Sequence, residues 1–141
     1  MAQPLQVLLY VSELARNAER EVVHQIALES RANNARDDIT GLLVFDGGAF
    51  AQYVEGPPRA IDGLFHRLQA DKRHRDMEVV QSGPVQSRRF PSWRLGYLRL
   101  DFQEFGILSL RGKTGAAAIE AFDFILPALD IQVGDAQPAR I

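Results

Sequence analysis

Short apolar runs and amphipathic segments alternate along most of the chain. Residues 5–11 are apolar at nearly every position, which predicts a strand covered on both faces. Residues 18–35, opened by Asn17, lack glycine and proline and carry apolar residues at helical spacing. A strand followed by a helix is therefore predicted for the N-terminal part.

The next pattern is that of a β-hairpin. Residues 39–46 and 49–55 have the composition of strands and flank Gly47 and Gly48. Glycine suits a two-residue turn because both of its positions need positive φ. We therefore predict two antiparallel strands joined by this pair.

A second amphipathic helix follows the hairpin. Apolar residues recur at helical spacing over residues 61–68, and the helix is expected to close near Arg73. Residues 77–86 and 94–100 are two further strand candidates. The order predicts an α+β fold, a ferredoxin-like βαββαββ sandwich with both helices on one face of the sheet.

The other face of the sheet needs a cover. Residues 116–129 carry apolar residues at helical spacing, so a C-terminal helix is expected there and on that face. We assign residues 102–130 to a connector and this helix, and regard the connector as the best candidate for a mobile joint. Residues 131–141 are polar and contain proline and glycine, which predicts a flexible tail.

Composition narrows the function. The 141 residues are 46% hydrophobic and 24% charged, as in an ordinary soluble domain, and the formal charge is -2. Without a basic excess, neither nucleic acid nor a membrane is an expected partner. The absence of cysteine removes disulfides and thiolate chemistry and, with no export signal, favours a cytoplasmic location.

Common catalytic and metal motifs are missing. There is no P-loop or dinucleotide-binding glycine pattern. His24, His66 and His74 lack the spacing of metal ligands, so no metal is expected. The carboxylates lie mostly at the ends of elements, where turn and capping roles are usual, and no acid/base pair is singled out.

Polar residues at positions where apolar ones are expected are more informative. Ser30 and Asn34 continue the core-facing stripe of the first helix, and Gln52 lies between apolar neighbours on the hairpin. Tyr10 adds a phenol to the first strand. Each has an ordinary structural explanation, but together they suit a slot for a flat heteroaromatic ring.

The surrounding sequence resembles a known family. The runs NNARDDITGLL at 33–43 and FAQYVEG at 50–56 are similar to those of BLUF domains, blue-light sensors that use FAD. LLYVS, DKRH and RRFPSW fall at the family's spacing elsewhere in the chain. The resemblance covers residues 4–101 and implies a flavin-binding core at 1–101 that is a sensor and not an enzyme.

The resemblance also implies a photochemical mechanism. Tyr10 would donate an electron and a proton to the excited flavin, and Gln52 would relay between phenol and flavin. Rotation or tautomerisation of the Gln52 amide would then change the hydrogen bonds to flavin O4 and N5 and shift the absorption to the red. A phenol with an ordinary pKa near 10 and an amide with both donor and acceptor fit these roles.

The cofactor is expected to be FAD, although FMN or riboflavin is possible. By the same resemblance Asn34 would bind the O4/N3 edge of the flavin and Asn33 would line its ring. Arg67 would reach the O2 side, and Ser30 would lie close by. Arg73 and His74 would lie near the ribityl and phosphate end.

Signal output is expected through the last strand. Trp93 is followed two positions later by Leu95, where many members of the family have methionine. Leucine offers only bulk, so signal relay and dark recovery are expected to differ from the usual pattern. With no output domain in the sequence, a flavin receptor that binds a separate effector protein is expected, as a homodimer or larger oligomer.

Two other functions stay open from the residues alone. One is a small hydrolase of the acylphosphatase kind that would use Arg16 and a nearby asparagine. The other is a regulatory module that binds a non-flavin metabolite. Both would be colourless, so visible absorption separates them from a flavin sensor.

Overall fold

The computed structural model describes residues 4–99 and 106–126. Its regular elements are, in chain order, β1 Leu5–Leu14, α1 Glu21–Asp37, β2 Thr40–Phe45, β3 Ala49–Gly56, α2 Pro58–Ala70, β4 His74–Val85, β5 Gly96–Arg99, a 3-10 helix Ile107–Leu110 and α3 Gly115–Ile125. None of the helices in this part of the chain is long and apolar enough to cross a membrane.

The strands form one mixed sheet in the order β4-β1-β3-β2-β5. β1 is antiparallel to β3 and β4, and β2 is antiparallel to β3 and parallel to β5. Each long helix therefore connects two parallel strands that are separated by a third, which is the split βαβ arrangement. The predicted ferredoxin-like α+β fold is confirmed.

The sheet is covered on both faces, as the sequence predicts. Side chains of β1 alternate: Leu8 and Tyr10 pack toward α2, whereas Val7, Leu9 and Val11 pack toward the 3-10 helix and α3. We call these the helix face and the α3 face. The helix face holds two apolar clusters, one beside each long helix, and the α3 face holds one larger cluster.

Two helix boundaries differ from the predictions. α1 begins at Glu21 and not at the residue after Asn17, because the segment before it is a turn in which the Ala18 amide donates to the carbonyl of Ala15 over 3.0 Å. α2 ends at Ala70, before Arg73. There Asp71 accepts the backbone N–H of Arg73 at 3.0 Å and turns the chain into β4.

The hairpin turn also differs in detail. Only Gly47 has positive φ, at 99°, whereas Gly48 does not. The carboxylate of Asp46 accepts the N–H groups of Gly48 and Ala49 at 3.1 and 2.8 Å, and this closes the turn with a single left-handed residue. The prediction of two positive φ values was wrong.

The described part of the connector is fastened to the sheet. The N–H of Ile107 donates to Asp46 over 3.3 Å. Arg111 donates to Glu13 and Glu78 over 3.3 Å and to the carbonyl of Asp76 over 2.7 Å. The expected mobile joint stays a prediction, and residues 101–105, like the predicted tail at 131–141, lie outside the described residues.

Candidate functional site

Tyr10 and Gln52 form a buried hydrogen-bonded pair at the centre of the helix face. They are direct cross-strand partners in β1 and β3, and therefore point to the same side of the sheet. The Tyr10 hydroxyl donates to Oε1 of Gln52 over 2.5 Å. The exposed fractions are 3% and 2%, so bulk water does not compete for this bond.

The environment holds Tyr10 in its neutral form. Burial raises the pKa of the phenol well above its ordinary value, and the negative charge of Asp71 adds to the effect. The phenol proton in turn fixes Oε1 of Gln52 as the acceptor end of the amide. Nε2 of Gln52 makes no hydrogen bond to any residue that the structure describes, and is left as a donor.

A narrow gap separates α1 and α2 above this pair. Its volume is about 20 Å³, and its lining residues are Tyr10, Ile26, Leu43, Phe50, Leu68, Asp71 and His74. This is room for about one water molecule. Entry of a flat aromatic ring therefore requires the side chains of the two helices to move apart.

Two polar atoms on the helix side of the sheet, in α1 and in β1, are buried without partners among the described residues. Asn34 is fully buried, and its Nδ2 donates to the carbonyl of Arg94 over 2.6 Å, but its Oδ1 accepts nothing from the described residues. Oγ of Ser12, also fully buried, is likewise unpartnered within the described ranges. Each such group costs about 1–3 kcal/mol, so both atoms suit a bound polar ligand.

Ser12 was missed by the sequence analysis. It follows Tyr10 by two residues on β1 and pairs with Phe50 of β3, so it shares the helix face. The signal was present in the alternation of β1. It was overlooked because a serine near the end of an apolar run resembles an ordinary strand terminus.

Arg67 joins α2 to α1. Its guanidinium lies 3.3 Å from the carboxylate of Asp37, at the C-terminal end of α1. A hydrogen bond from Arg36 lowers the pKa of Asp37, and Arg67 lowers it further. Ser30 and Asn33 are half-buried on α1.

Arg73 lies in the turn after α2, and His74 is the first residue of β4. Arg73 pairs with Asp71 at 2.8 Å and with Glu29 of α1 at 3.0 Å. Nε2 of His74 lies 2.6 Å from the carbonyl oxygen of Leu68, and its ring stands edge-on to Tyr10 with centroids 6.2 Å apart. His74 therefore lines the gap, whereas Arg73 bridges the helices through carboxylates.

Trp93 and Leu95 lie on opposite faces. Trp93 belongs to the cluster on the α3 face, where it stacks on Phe90 with ring centroids 5.7 Å apart. Gly96 leaves room for it, because a Cβ there would lie 2.4 Å from the indole ring. Leu95 packs on the helix face with Phe50 and other apolar residues. Of the two expected relay residues, only Leu95 is on the side of the gap.

Residues 5–96 match the sequence model of a family described as BLUF, sensors of blue light using FAD. The chain belongs to the BLUF family. The flavin-sensor resemblance is thereby confirmed, and neither the acylphosphatase-like hydrolase nor the non-flavin metabolite module is favoured.

The sequence matches to individual relatives cover most of this chain but only a small part of each relative. The chain is 37% identical over 92 residues to photoactivated adenylate cyclase subunit beta of Euglena gracilis, which covers 64% of this chain and 11% of the cyclase subunit. It is 26% identical over 86 residues to the blue light- and temperature-regulated antirepressor BluF of Escherichia coli, or 61% and 21% of the two chains. The chain thus spans about a tenth of the cyclase relative.

Solved structures show the same fold. The dark-state structure of BlrB, a BLUF protein, has a TM-score of 0.65 and 32% identity, and the alignment covers 79% of this chain and 81% of BlrB. The photo-activated state of BlsA has a TM-score of 0.74 over 97% of this chain and 99% of BlsA. At 20% identity, BlsA is similar in fold alone.

Proposed function

We propose that this BLUF domain senses blue light through Tyr10 and Gln52. The observation that carries the proposal is the 2.5 Å hydrogen bond between the Tyr10 hydroxyl and Gln52 Oε1 on a buried face. A flavin held in the gap would supply absorption of blue light and an electron acceptor for a nearby phenol. The remaining steps, which move protons and rearrange hydrogen bonds, are carried out by side chains of the protein.

Tyr10 is the source of one electron and one proton. Its electron would pass to the flavin and its proton would move along the existing hydrogen bond to Oε1 of Gln52, while Nε2 of Gln52, which has no partner among the described residues, would give a proton to the flavin. One electron and one proton would then return to Tyr10, which restores the phenol. Rotation of the Gln52 amide before this return would leave its donor and acceptor ends exchanged, so that the hydrogen bonds in the gap differ from those of the dark state.

The residues beside the gap fit a flavin. The unpartnered Oδ1 of Asn34 is an acceptor for a ring N–H, and the hydroxyl of Ser12 offers both donor and acceptor. Asn33 and Ser30, on the same helix as Asn34, would line the ring and its edge. His74 would contact the flavin from the opposite helix end.

Two arginines would bind the polar parts of the cofactor. Arg67 would approach the O2 side and Arg73 the ribityl and phosphate end. Both guanidiniums are held by carboxylates, Arg67 by Asp37 and Arg73 by Asp71 and Glu29. Binding the flavin would require Arg67 to leave Asp37 or share its donors, which five N–H groups on a guanidinium allow.

FAD is the proposed cofactor. The family of this chain is described as sensors that use FAD, which supports this cofactor. The guanidinium of Arg73, which follows α2, is suited to a phosphate. Heat release of the bound flavin followed by mass spectrometry distinguishes FAD from FMN and riboflavin. Recovery of FMN alone would overturn the assignment of the nucleotide but not that of the ring site.

The proposed output is a change in binding to a separate protein. We propose that light alters the surface of the C-terminal segment or of a homo-oligomer, that the domain itself catalyses no reaction, and that it acts in the cytoplasm. Light-dependent coupling of this kind typically amounts to about 1–3 kcal/mol. Comparing sedimentation of the flavin-loaded protein in darkness and under blue light tests the oligomer part.

The central test is a visible spectrum in darkness and after blue illumination. The wild-type protein is expected to show a flavin spectrum that shifts to the red and relaxes in the dark. Tyr10→Phe and Gln52→Leu should bind flavin but lose the shift. Tyr97→Phe is the matched control, because Tyr97 is also a buried tyrosine of the helix face but belongs to the cluster beside α1.

Two results would contradict the proposal. A colourless protein that takes up no added flavin would exclude the sensor function altogether. Bound flavin with an unchanged red shift in Tyr10→Phe and Gln52→Leu would leave the pocket correct but exclude this pair as the photoactive residues.

A further inference from the structure

Glu55 is a fully buried carboxylate that the photochemical pair does not use. It lies at the end of β3, on the α3 side of the sheet. Its two oxygens accept hydrogen bonds from the N–H groups of Arg89 and Phe90, at 2.8 and 2.7 Å, and from the Thr40 hydroxyl at 3.2 Å. A buried charge is tolerated only with such partners, so the contacts to consecutive backbone amides hold the chain at 89–90 firmly.

Arg88 extends this network to the end of α1. Its guanidinium donates to the Thr40 hydroxyl at 2.9 Å and to the backbone carbonyls of Glu55 and Asp38 at 3.2 and 2.9 Å. It also pairs with the Asp38 carboxylate at 3.1 Å. The ends of α1 and β3 and the loop at 86–95 are therefore joined at one place.

The C-terminal end of this loop contacts α1 on the helix face. The carbonyl of Arg94 accepts the bond from Asn34, and the carbonyl of Leu95 accepts one from Arg31 at 3.3 Å. Asn34 is the residue of α1 whose buried Oδ1 has no partner among the described residues. A displacement of the loop therefore moves a group that orients Asn34.

The N-terminal half of the loop contacts α3. The guanidinium of Arg89 lies 2.6 Å from the carboxylate of Asp123 in α3. It also lies over the rings of Tyr53 and Phe90, at 5.7 and 5.2 Å from their centroids. The backbone amide of this arginine is one of the two held by Glu55, so one residue is tied to both β3 and α3.

We propose that Glu55 is a positioning residue that couples the Gln52 site to α3 through the loop at 86–95. Gln52 and Glu55 lie three residues apart on β3 and point to opposite faces. A change in β3 at Gln52 thus moves the anchor of the loop, and Arg89 carries that movement to Asp123. This inference rests on the proposed light-sensing function.

The test compares light-minus-dark hydrogen exchange of α3 with the flavin red shift, in flavin-loaded protein. Wild type should show both a red shift and a light-dependent change in exchange within residues 115–125. Glu55→Gln keeps the size of the side chain but replaces one acceptor oxygen with an N–H donor. It should retain the red shift and lose the light-dependent change in α3. Glu21→Gln removes the same negative charge at an exposed position in α1. It should retain both the red shift and the light-dependent change in α3.

A second variant keeps the inference testable if Glu55→Gln does not fold. Arg89→Met removes the ion pair to Asp123 but leaves the amide that binds Glu55, and should lose the α3 response in the same way. A wild-type response of α3 in either folded variant would overturn the inference. So would a wild-type protein that shifts to the red without any change in α3, whereas a wild-type protein with bound flavin and no red shift would overturn the proposed function as well.

Discussion

The two faces of the sheet are built for different tasks. The helix side of the sheet holds the gap above Tyr10 and, in β1 and α1, the unpartnered polar atoms of Ser12 and Asn34. On the α3 face, aromatic rings fill the space: Tyr53 stacks on Phe122 with centroids 6.1 Å apart, and Phe90 stacks on Trp93. The helix face contains a gap beside a buried polar pair, whereas the α3 face is filled by packed aromatic rings.

The alternation of β-strand side chains lets the same strands serve both tasks. Gln52 and Tyr53 are neighbours in β3, yet one belongs to the polar pair and the other to the aromatic cluster. Substitutions on the α3 face should therefore change stability first, whereas those on the helix face should change ligand binding and light response first.

The largest loss of stability is expected from Phe122→Ala. Phe122 is fully buried at the centre of the α3-face cluster, and such a truncation costs about 3–5 kcal/mol. Urea unfolding followed by circular dichroism measures it. Phe124→Ala in the same helix is the control, since Phe124 is 60% exposed and its loss should cost far less. Equal losses in the two variants would contradict the described packing of α3.

Gly96→Ala should have the next largest effect. The new methyl group would lie within 3 Å of both the Trp93 ring and the Leu42 side chain, and overpacking of this kind costs about 1–3 kcal/mol. Trp93 is the chain's single tryptophan, so its fluorescence should change too. Gly48→Ala is the control, because a methyl group at Gly48 meets its nearest atom at 4.0 Å. Unchanged fluorescence and stability in Gly96→Ala would exclude this position for Trp93.

Titration to alkaline pH tests the burial of tyrosines on both faces of the sheet. Burial, with the charge of Glu55, raises the pKa of Tyr53 to about 12, and burial also raises those of Tyr10 and Tyr97. The unfolded chain releases these protons near pH 10, while the folded chain retains them. The free energy of unfolding should therefore fall as the pH rises from about 10 to about 12.

Phenolate absorbance and circular dichroism measure this effect together. In the folded protein the three tyrosines are expected to ionise above the ordinary pKa of about 10 that they have in the unfolded chain. Tyr53→Phe should make the decline in unfolding free energy between these pH values smaller. Phenols that are half ionised at pH 10 in a fully folded sample would contradict their burial.

The smallest effect is expected from Ser12→Ala in the flavin-free protein. The variant removes a buried hydroxyl that has no partner among the described residues, so stability should be unchanged or rise by up to about 1 kcal/mol. Urea unfolding of Ser12→Ala and of Ser109→Ala, an exposed serine in the 3-10 helix, provides the comparison. A clear loss of stability in Ser12→Ala alone would show that its hydroxyl has a partner.

Hydrophobic periodicity predicted most of the fold because the long elements bury regular faces. It also brought Tyr10 and Gln52 to one site, since polar residues within apolar patterns are conspicuous. The side of the sheet taken by Trp93 was not predictable, because it follows a loop whose path depends on Glu55. Likewise, the carboxylate partners of Arg67 and Arg73 depend on the reach of flexible side chains and not on spacing.

The 3-10 helix and the hydrogen bonds of Glu55 were missed for related reasons. Four residues are too few to show a helical period, so the segment after residue 106 resembled a plain connector. Glu55 was grouped with carboxylates at element ends that have turn or capping roles. It does bind backbone amides there, but in a loop more than thirty residues away along the chain.

The hydrogen bonds of Asp46 indicate the order in which two parts of the domain fold. Its bonds to Gly48 and Ala49 span two and three residues and form as soon as the hairpin closes, whereas its bond to Ile107 spans 61 residues. Closing the longer loop costs more chain entropy, so it should follow the hairpin. The 3-10 helix is therefore expected to reach the sheet after the hairpin has formed, and the aromatic side of the sheet is open to aggregation until it does.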